Sequence, residues 1–489
     1  MNVLLIMPYH NDLIHSVSLP LGIMSIGTYL QNHGVNVKLC DFSIHKHTVK
    51  KILRDFTPDI VGLSFPSAKA VDGIMDICGA LRRETRAPIV WGGQFVDVGI
   101  AETFFETGLV DILSFSEGEN TWLDLVRTLE NGGDLSEVKG IAYLKDGKVV
   151  RTPLRPFLTA EELPRLNFDL VRVPDYFQYL YGCKRLVYIY LSKGCPASCS
   201  FCFNLACHRS TRRRRNLDDC ISEITELVTK YKVDGLYLGD ELAFANDKEL
   251  YEVCDAFQKT GLTFRWGFQT RIGALSPKAI RHAADCGCRW IASGVETGNR
   301  EMMKRITKGM PMDKVESTFH ACSQAGIISL ANFIIGLPGE TETQLRDTIA
   351  LAKKIESTQN TFAQYMCLPN SPMGREVLSA YEKHPEFGKM TDFKQIDFFQ
   401  NPMDVSEIPQ KELNVIQSYF LLKAIFRKDY SDSRPYDMLL KFISTVIRNQ
   451  ASMNLTSKVK ALAEVTTDFT RFCMDYTFEK GIRRKYGLK

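Results

Sequence analysis

Three thiols stand within eight residues in the stretch KGCPASCSFCFN, at Cys195, Cys199 and Cys202. A C-x3-C-x2-C spacing is too tight, and three is the wrong parity, for a disulfide framework. Thiols set this close suit a metal. Three of them do not close a tetrahedral zinc site, so a structural zinc loop needs a fourth ligand, for which Cys207 and His208 are available. A [4Fe-4S] cluster held by three cysteines instead leaves one iron open to a substrate or cofactor. Further along, polar residues recur at the ends of apolar runs: Asp240 and Glu241 in YLGDE, Gln269 and Arg271 in FQTR, Glu296 in SGVET, and Gly336 to Glu340 after NFII. Cys367 ends the run FAQYMC and is a candidate catalytic donor at a pocket mouth. Ionised groups are costly in a buried strand, so their placement at strand ends points to chemistry.

Such residues need a scaffold that gathers the ends of separate strands. From Leu186, the runs LVYIYLS, GLYLGDE, FRWGFQTR, WIASGVET, LANFIIG and FAQYMCLP alternate with helical stretches. Six βα-type strands without a long antiparallel run predict a partial (β/α)6 TIM-like barrel over residues 185–380, with its chemistry at the C-terminal strand ends. Upstream, NVLLIMPY, VNVKLCDF, DIVGLSF, APIVWGGQF and DILSFSEGE also alternate with helices and are apolar along their length. That pattern predicts an α/β, doubly wound Rossmann-like sheet over residues 1–135, which binds ligands beyond the carboxyl ends of its strands. Residues 136–184 read as a linker: AYLKDGKVVRT is a hairpin signal, and prolines follow at 153, 156, 164 and 174. Residues 381–489 read as a mostly helical C-terminal domain without an interpretable motif.

The 489 residues carry a formal net charge of +4, too small to announce a nucleic-acid-binding surface. No apolar run reaches the 18 or so residues of a membrane span; VIQSYFLLKAIF has polar breaks and reads as a core helix. The N-terminus lacks a signal-peptide pattern, and fourteen cysteines without one imply a reducing, cytoplasmic setting. Cys40, Cys78, Cys254, Cys322 and Cys473 read as small buried hydrophobes. CGC at 286–288 marks a helix-to-strand turn, where a second metal site is the minor reading. The basic run RSTRRRRN, with Arg212 to Arg215 at its centre, reads as a solvated segment pairing with acids, or else as a grip on an anionic ligand.

CPASCSFC, with Phe201 before its third cysteine, resembles the cluster motif of the radical S-adenosylmethionine enzymes, and the resemblance extends over roughly residues 186–380. It implies that Gly239, Asp240 and Glu241 hold the amino group of S-adenosylmethionine, although Gly-Asp-Glu replaces the family's Gly-Gly-Glu. It further implies that Gln269, Arg271 and Glu296 hold the ribose and carboxylate, and that Gly336, Leu337 and Pro338 pack near the adenine. The N-terminal sheet, taken alone, also fits a nucleotide-binding or receiver-like domain. Beside such a barrel it resembles a cobalamin-binding domain, which implies corrin and tail contacts from Leu21, Gly22, Ser64, Gly92, Gly93, Gln94, Glu117, Gly118 and Glu119. The implied reaction is methylation of an unactivated carbon in a small-molecule or peptide substrate, through a 5′-deoxyadenosyl radical and methylcobalamin. A flavodoxin or ferredoxin would supply the electron. The same branch holds cyclases and oxidative rearrangement enzymes. A methylthiotransferase would need extra N-terminal cluster cysteines, where only Cys40 and Cys78 occur, and a non-catalytic cobalamin module has no use for the cluster motif.

One element of many cobalamin domains is missing. No D-x-H-x-x-G occurs, and only His10 and His15, which read as loop histidines, follow the first strand. The cobalt is therefore expected to be base-off without an imidazole below it, which eases its reduction. Electron paramagnetic resonance of the cobalt(II) protein should show no splitting from an axial nitrogen; such splitting would defeat this expectation.

Overall fold

The computed structural model describes residues 1–9, 18–44, 48–67, 70–381, 405–425 and 480–488. His10, His15, Cys473 and most of the expected C-terminal helical domain lie outside the described residues.

The first sheet comprises β1 (Asn2–Met7), β2 (Asn36–Asp41), β3 (Ile60–Ser64), β4 (Ile89–Gly92), β5 (Ile112–Ser114), β6 (Ile141–Lys145) and β7 (Lys148–Arg151). Their order is β2-β1-β3-β4-β5-β6-β7, and β1 to β5 are parallel. Val3, Leu4, Leu5 and Ile6 are all buried, as helices on both faces of a parallel sheet require. The strand order reverses beside β1, so the crevice beyond β1 and β3 is the ligand position of such a sheet. Packing here leaves no slack. A Cβ on Gly62 would lie 2.5 Å from the Trp122 ring and 3.0 Å from Leu5.

The hairpin expected in the linker forms, but it belongs to the first domain. β6 pairs antiparallel with β5, and β7 with β6, so the sheet runs to Arg151 rather than stopping at 135. Burial explains this: Ile141 and Tyr143 join the core on one face of the sheet and Ala142 the core on the other, so β6 covers an otherwise bare edge of β5. The proline-rich stretch beyond it is irregular, with 3-10 turns at Phe168–Leu170 and Val173–Tyr176.

The second sheet contains β8 (Gln178–Leu180), β9 (Cys183–Ile189), β12 (Gly235–Leu238), β13 (Arg265–Arg271), β14 (Cys288–Glu296), β15 (Ile328–Ile335) and β16 (Gln359–Gln364). β10 (Ser192–Gly194) and β11 (Arg212–Arg214) form a separate antiparallel pair. The order β16-β15-β14-β13-β12-β9-β8 places six parallel strands in chain order, as a partial barrel demands, with β8 added antiparallel at the edge. Polar caps start the outer helices: Asn216 before Leu217–Thr229, Asn246 before Asp247–Lys259, Ser276 before Pro277–Asp285, and a capping box from Thr341 and Gln344 before Glu342–Lys354. The helix Gln410–Ile425 covers β16, with Phe420 stacked on Phe362 at 3.9 Å between ring centroids. Cys40, Cys78, Cys254 and Cys322 are buried, as expected. Among the described residues, no helix is long and apolar enough to cross a membrane.

Gly62→Ala should destabilise the first domain by about 1–3 kcal/mol, because neither the Trp122 ring nor Leu5 has space to retreat. A drop in the thermal unfolding midpoint of the full chain checks this.

Candidate functional site

The cluster loop leaves β9 and is fastened from several sides. Asp240, at the end of β12, accepts hydrogen bonds from the Leu191 amide at 3.0 Å, the Ser192 amide, and Ser192 Oγ at 2.6 Å. Burial nevertheless raises its carboxyl to about 6. Asn204 clamps the loop upon itself: its Oδ1 accepts from the Cys195 amide at 3.0 Å, and its Nδ2 donates to the Cys195 carbonyl at 2.7 Å and the Ala197 carbonyl at 3.1 Å. Thr307 Oγ1 donates to the Ser198 carbonyl at 2.7 Å, and the Ser200 amide donates to the Ile306 carbonyl at 3.0 Å. Phe201 packs against the core behind this loop.

Cys195 and Cys199 are buried and Cys202 is half-buried. Burial raises the Cys199 thiol, against the nearby charges of Lys308 and Arg271, and pushes Cys202 up to about 12. Thiols held in this state ionise readily only when a metal takes the proton's place. Their spacing tests which metal. Ligand atoms of one tetrahedral zinc stand about 3.5–3.9 Å apart, yet no three of Cys195, Cys199, Cys202, Cys207 and His208 gather within 4.8 Å of one another. Three thiols with no fourth ligand gathered beside them suit an iron–sulfur cluster with one open iron, the donor set expected from their spacing. Cys207 faces the first sheet instead, with its Sγ 4.0 Å from the Gln94 carbonyl oxygen.

A cavity of about 280 Å³ lies where the carboxyl ends of the first sheet meet this loop. Leu21, Gly22, Ser64, Gly92, Gly93, Gln94, Glu117, Gly118 and Glu119 all line it, with Gly239 and Glu241 from the barrel and Lys193, Cys207 and His208 from the cluster loop. The glycines differ in purpose. Gly93 has φ +104° and a Cβ there would stand 2.9 Å from the Phe65 carbonyl oxygen, so backbone packing alone demands it. Around Gly22 nothing lies within 4 Å, and a side chain there would fill only the cavity. His208 Nδ1 is buried without a hydrogen-bond partner, with the nearest carboxylate oxygen of Glu117 at 3.8 Å. The open space at Gly22 and an unpartnered buried imidazole nitrogen fit a bulky ligand with polar substituents, as a corrin is.

Two of the lining acids are already engaged. Glu119 is ion-paired with Lys193 at 2.5 Å and accepts from Ser25 Oγ at 2.5 Å, and Glu117 is ion-paired with Arg213. Burial would raise Glu119, but the Lys193 charge outweighs it and holds the carboxyl below its usual range; the same pairing keeps Lys193 above its usual range despite burial. Sequence reasoning missed Lys193 and Asn204, although both flank the cysteine motif directly.

At the barrel strand ends, Glu241 accepts from the Gly194 amide at 3.0 Å and lies 3.5 Å from His208 Nε2. Burial opposes its ionisation, but the His208 contact prevails and the carboxyl stays below its usual range. Glu296 is buried against Lys308, whose carbonyl accepts from the Arg271 guanidinium. Gln269 holds the loop after β12 by its own carbonyl, which accepts from the Ala243 amide at 3.0 Å. After β15, Gly336 has φ +72°, Leu337 is buried, and Pro338 precedes a tight turn whose Glu340 accepts from the Gly336 amide at 2.7 Å. Burial raises that carboxyl to about 7, and its Oε1 has no partner. Cys367 stands apart from all of these. Its thiol is buried in the core beside Tyr365, donates toward the Gly374 carbonyl at 3.8 Å and is pushed by burial up to about 12. The expected position at a pocket mouth is corrected: the chain turns inward there, and an apolar core surrounds the sulfur.

Lys193→Met should cost about 3–5 kcal/mol by leaving Glu119 charged and unpaired, and Glu119→Gln in the same chain should restore much of it. Since pairing lowers Glu119, the stability it contributes is present above its unfolded pKa of about 4.3 and is lost as pH falls further. Thermal unfolding of the two variants across acidic pH checks both statements.

Residues 189–352 match the family model of the radical SAM superfamily, and residues 13–126 match that of the B12 binding domain. An uncharacterized methyltransferase of Pyrococcus horikoshii is 26% identical over 73% of this chain and 78% of its own. The anaerobic magnesium-protoporphyrin IX monomethyl ester cyclase of Rubrivivax gelatinosus is 25% identical over 84% of this chain and 74% of its own. Among solved structures, the cobalamin-dependent S-adenosylmethionine radical enzyme OxsB, with aqua-cobalamin and S-adenosylmethionine bound, superposes with a TM-score of 0.73 at 18% identity, over 100% of this chain and 79% of its own. That last likeness is one of fold. With both domain types in one chain and each contributing a wall of one cavity, the protein carries the radical SAM and B12-binding domains that together make up a cobalamin-dependent radical S-adenosylmethionine enzyme.

Proposed function

We propose that the chain transfers a methyl group to an unactivated carbon of a small-molecule or peptide substrate. The observation that carries this is the single cavity walled by β1, β3, β4 and β5 of the first sheet and by the cluster loop and Glu241 of the barrel. Two cofactor-binding loops that open on one volume suit a reaction in which hydrogen removal and methyl delivery happen at one carbon. When bound, the [4Fe-4S] cluster supplies one-electron reduction, S-adenosylmethionine a radical source and methyl donor, and cobalamin a methyl carrier.

The chain's own residues bind and orient. Cys195, Cys199 and Cys202 hold the iron, and the clamp by Asn204 and Asp240 fixes their loop. Glu241, kept ionised, is suited to an ammonium in a charge-assisted hydrogen bond. Gln269, Arg271 and Glu296 offer polar groups for a ribose and a carboxylate at the ends of β13 and β14, while Gly336, Leu337 and Pro338 offer an apolar floor. Burial of the loop keeps water from the thiolates. An external flavodoxin- or ferredoxin-like reductant supplies the electron. The described cysteines are all unpaired, which supports a cytoplasmic setting. Similarity to a cyclase keeps oxidative ring closure as the second reading.

Anaerobic reconstitution with iron, sulfide and cobalamin tests the assignment. Alanine at Cys195, Cys199 or Cys202 should abolish S-adenosylmethionine cleavage, while Cys207→Ala should keep its iron. Methyl-labelled S-adenosylmethionine should leave label in the product; an unlabelled product lighter by hydrogens would favour the cyclase reading.

A further inference from the structure

On the outer surface of the barrel, remote in sequence from the cluster loop, two neighbouring helices bring three metal-ligating side chains together. Cys254 lies on Asp247–Lys259, and His282 and Cys286 lie four residues apart at the C-terminal end of Pro277–Asp285. Their ligand atoms all fall within 4.8 Å of one another, the one such group among the described residues. Cys286 Sγ and His282 Nε2 are 3.6 Å apart. A tetrahedral zinc with sulfur at about 2.3 Å and nitrogen at about 2.05 Å separates those two ligands by about 3.6 Å. The observed contact of these two groups matches the length of that edge.

The surroundings hold this arrangement ready. Gln258 follows Cys254 by one helical turn and its Nε2 stands 3.3 Å from Cys286 Sγ, so each helix presents an i, i+4 pair toward the same point. The Tyr251 ring packs edge-on against His282 at 4.9 Å and fixes the imidazole plane. Cys254 is buried, whereas His282 and Cys286 are half-buried and open to an ion arriving from solvent. Cys288, the other thiol of the CGC turn, is buried, and its Sγ donates to the Trp290 carbonyl at 3.6 Å. The partners of Cys286 are thus on helices, not within its own tripeptide.

We propose that Cys254, His282 and Cys286 form a zinc site, with Gln258 or water in the fourth position, that staples these two helices on the outside of the barrel. Binding replaces two thiol protons, released to solvent, by two zinc–sulfur bonds, and adds one bond from the neutral imidazole.

The test uses the full chain, isolated anaerobically from zinc-supplemented culture, with its cluster intact and excess metal dialysed away. Metal analysis should find about one zinc per chain beside the cluster iron, and zinc-edge X-ray absorption should show two sulfurs and at least one nitrogen. Cys286→Ser and His282→Asn should each lower zinc about tenfold, as loss of one ligand in a mononuclear site predicts, with iron content and S-adenosylmethionine cleavage unchanged. Absence of zinc from the wild-type chain would overturn the proposal. So would a Cys254–Cys286 disulfide in that preparation, or zinc that persists in both variants and disappears with Cys199→Ala, which would place it at the cluster cysteines.

Discussion

The buried ion pair between Glu119 and Lys193 is the contact that ties the two halves of this protein into one working unit. Glu119 opens the helix Glu119–Glu130 at the carboxyl end of the first sheet, where the helix dipole already favours a negative charge. Lys193 sits two residues before the first cluster cysteine and extends over the Tyr190 ring at 5.7 Å. Burying both charges is expensive, and an apolar pair of similar shape would serve stability as well. What an apolar pair lacks is direction. The ammonium and carboxylate meet at a fixed distance, so the loop that carries the thiols has one register against the loop that lines the cavity.

The arginine run extends the same logic. In β11, paired with β10, and at Arg215 just beyond it, each arginine makes an internal contact. Arg212 donates to the Leu242 carbonyl at 2.7 Å, the Ala243 carbonyl at 2.6 Å and Glu249; Arg213 binds Glu117; Arg214 binds Glu252 at 2.7 Å; and Arg215, buried, pairs with Glu223. The pairing with acids matches one reading of this segment, but the segment is not a solvated one, because the strand lies against the barrel rim. Asn370 completes the domain contact from the far end of the barrel, donating to the Asp97 carbonyl at 2.9 Å and the Gly99 carbonyl at 2.7 Å.

Most of the parallel strands were legible because they contain apolar runs of strand length; β16 was placed less well, since Gln359–Gln364 begins before the run FAQYMCLP that announced it. The cysteine loop was legible because its spacing is local. What escaped was whatever depends on distant partners. The DG hairpin looked like a linker, since nothing in AYLKDGKVVRT reveals that its inner face completes the edge at β5. Asp240 looked like a ligand-binding acid because it stands beside Glu241, yet in the loop beyond β12 the two side chains part. One carboxylate therefore meets the Leu191 and Ser192 amides and the other meets the cavity. Cys367 illustrates the same limit: a thiol at a strand end reads alike whether the chain next turns outward or, as here, into the core.

Glu296 shows how a local irregularity reaches the thiols. It is a non-glycine residue at φ 65°, where the pairing of β14 with β15 slips between Gly294 and Glu296. Such a backbone costs about 1–3 kcal/mol and persists only where its surroundings over-determine it. Here the return is a carboxylate aimed at Lys308, and the space for that pair exists only because Gly294 has no side chain: a Cβ there would lie 2.1 Å from Glu296 Oε1 and 2.6 Å from Lys308 Nζ. Burial raises the Cys199 thiol; Lys308 and Arg271 place positive charge beside it and work against that rise, while the Glu296 carboxylate adds to it. A glycine in SGVET thus reaches the cluster loop at second hand, by making room for the ion pair whose lysine and carboxylate act in opposite senses on the Cys199 thiol.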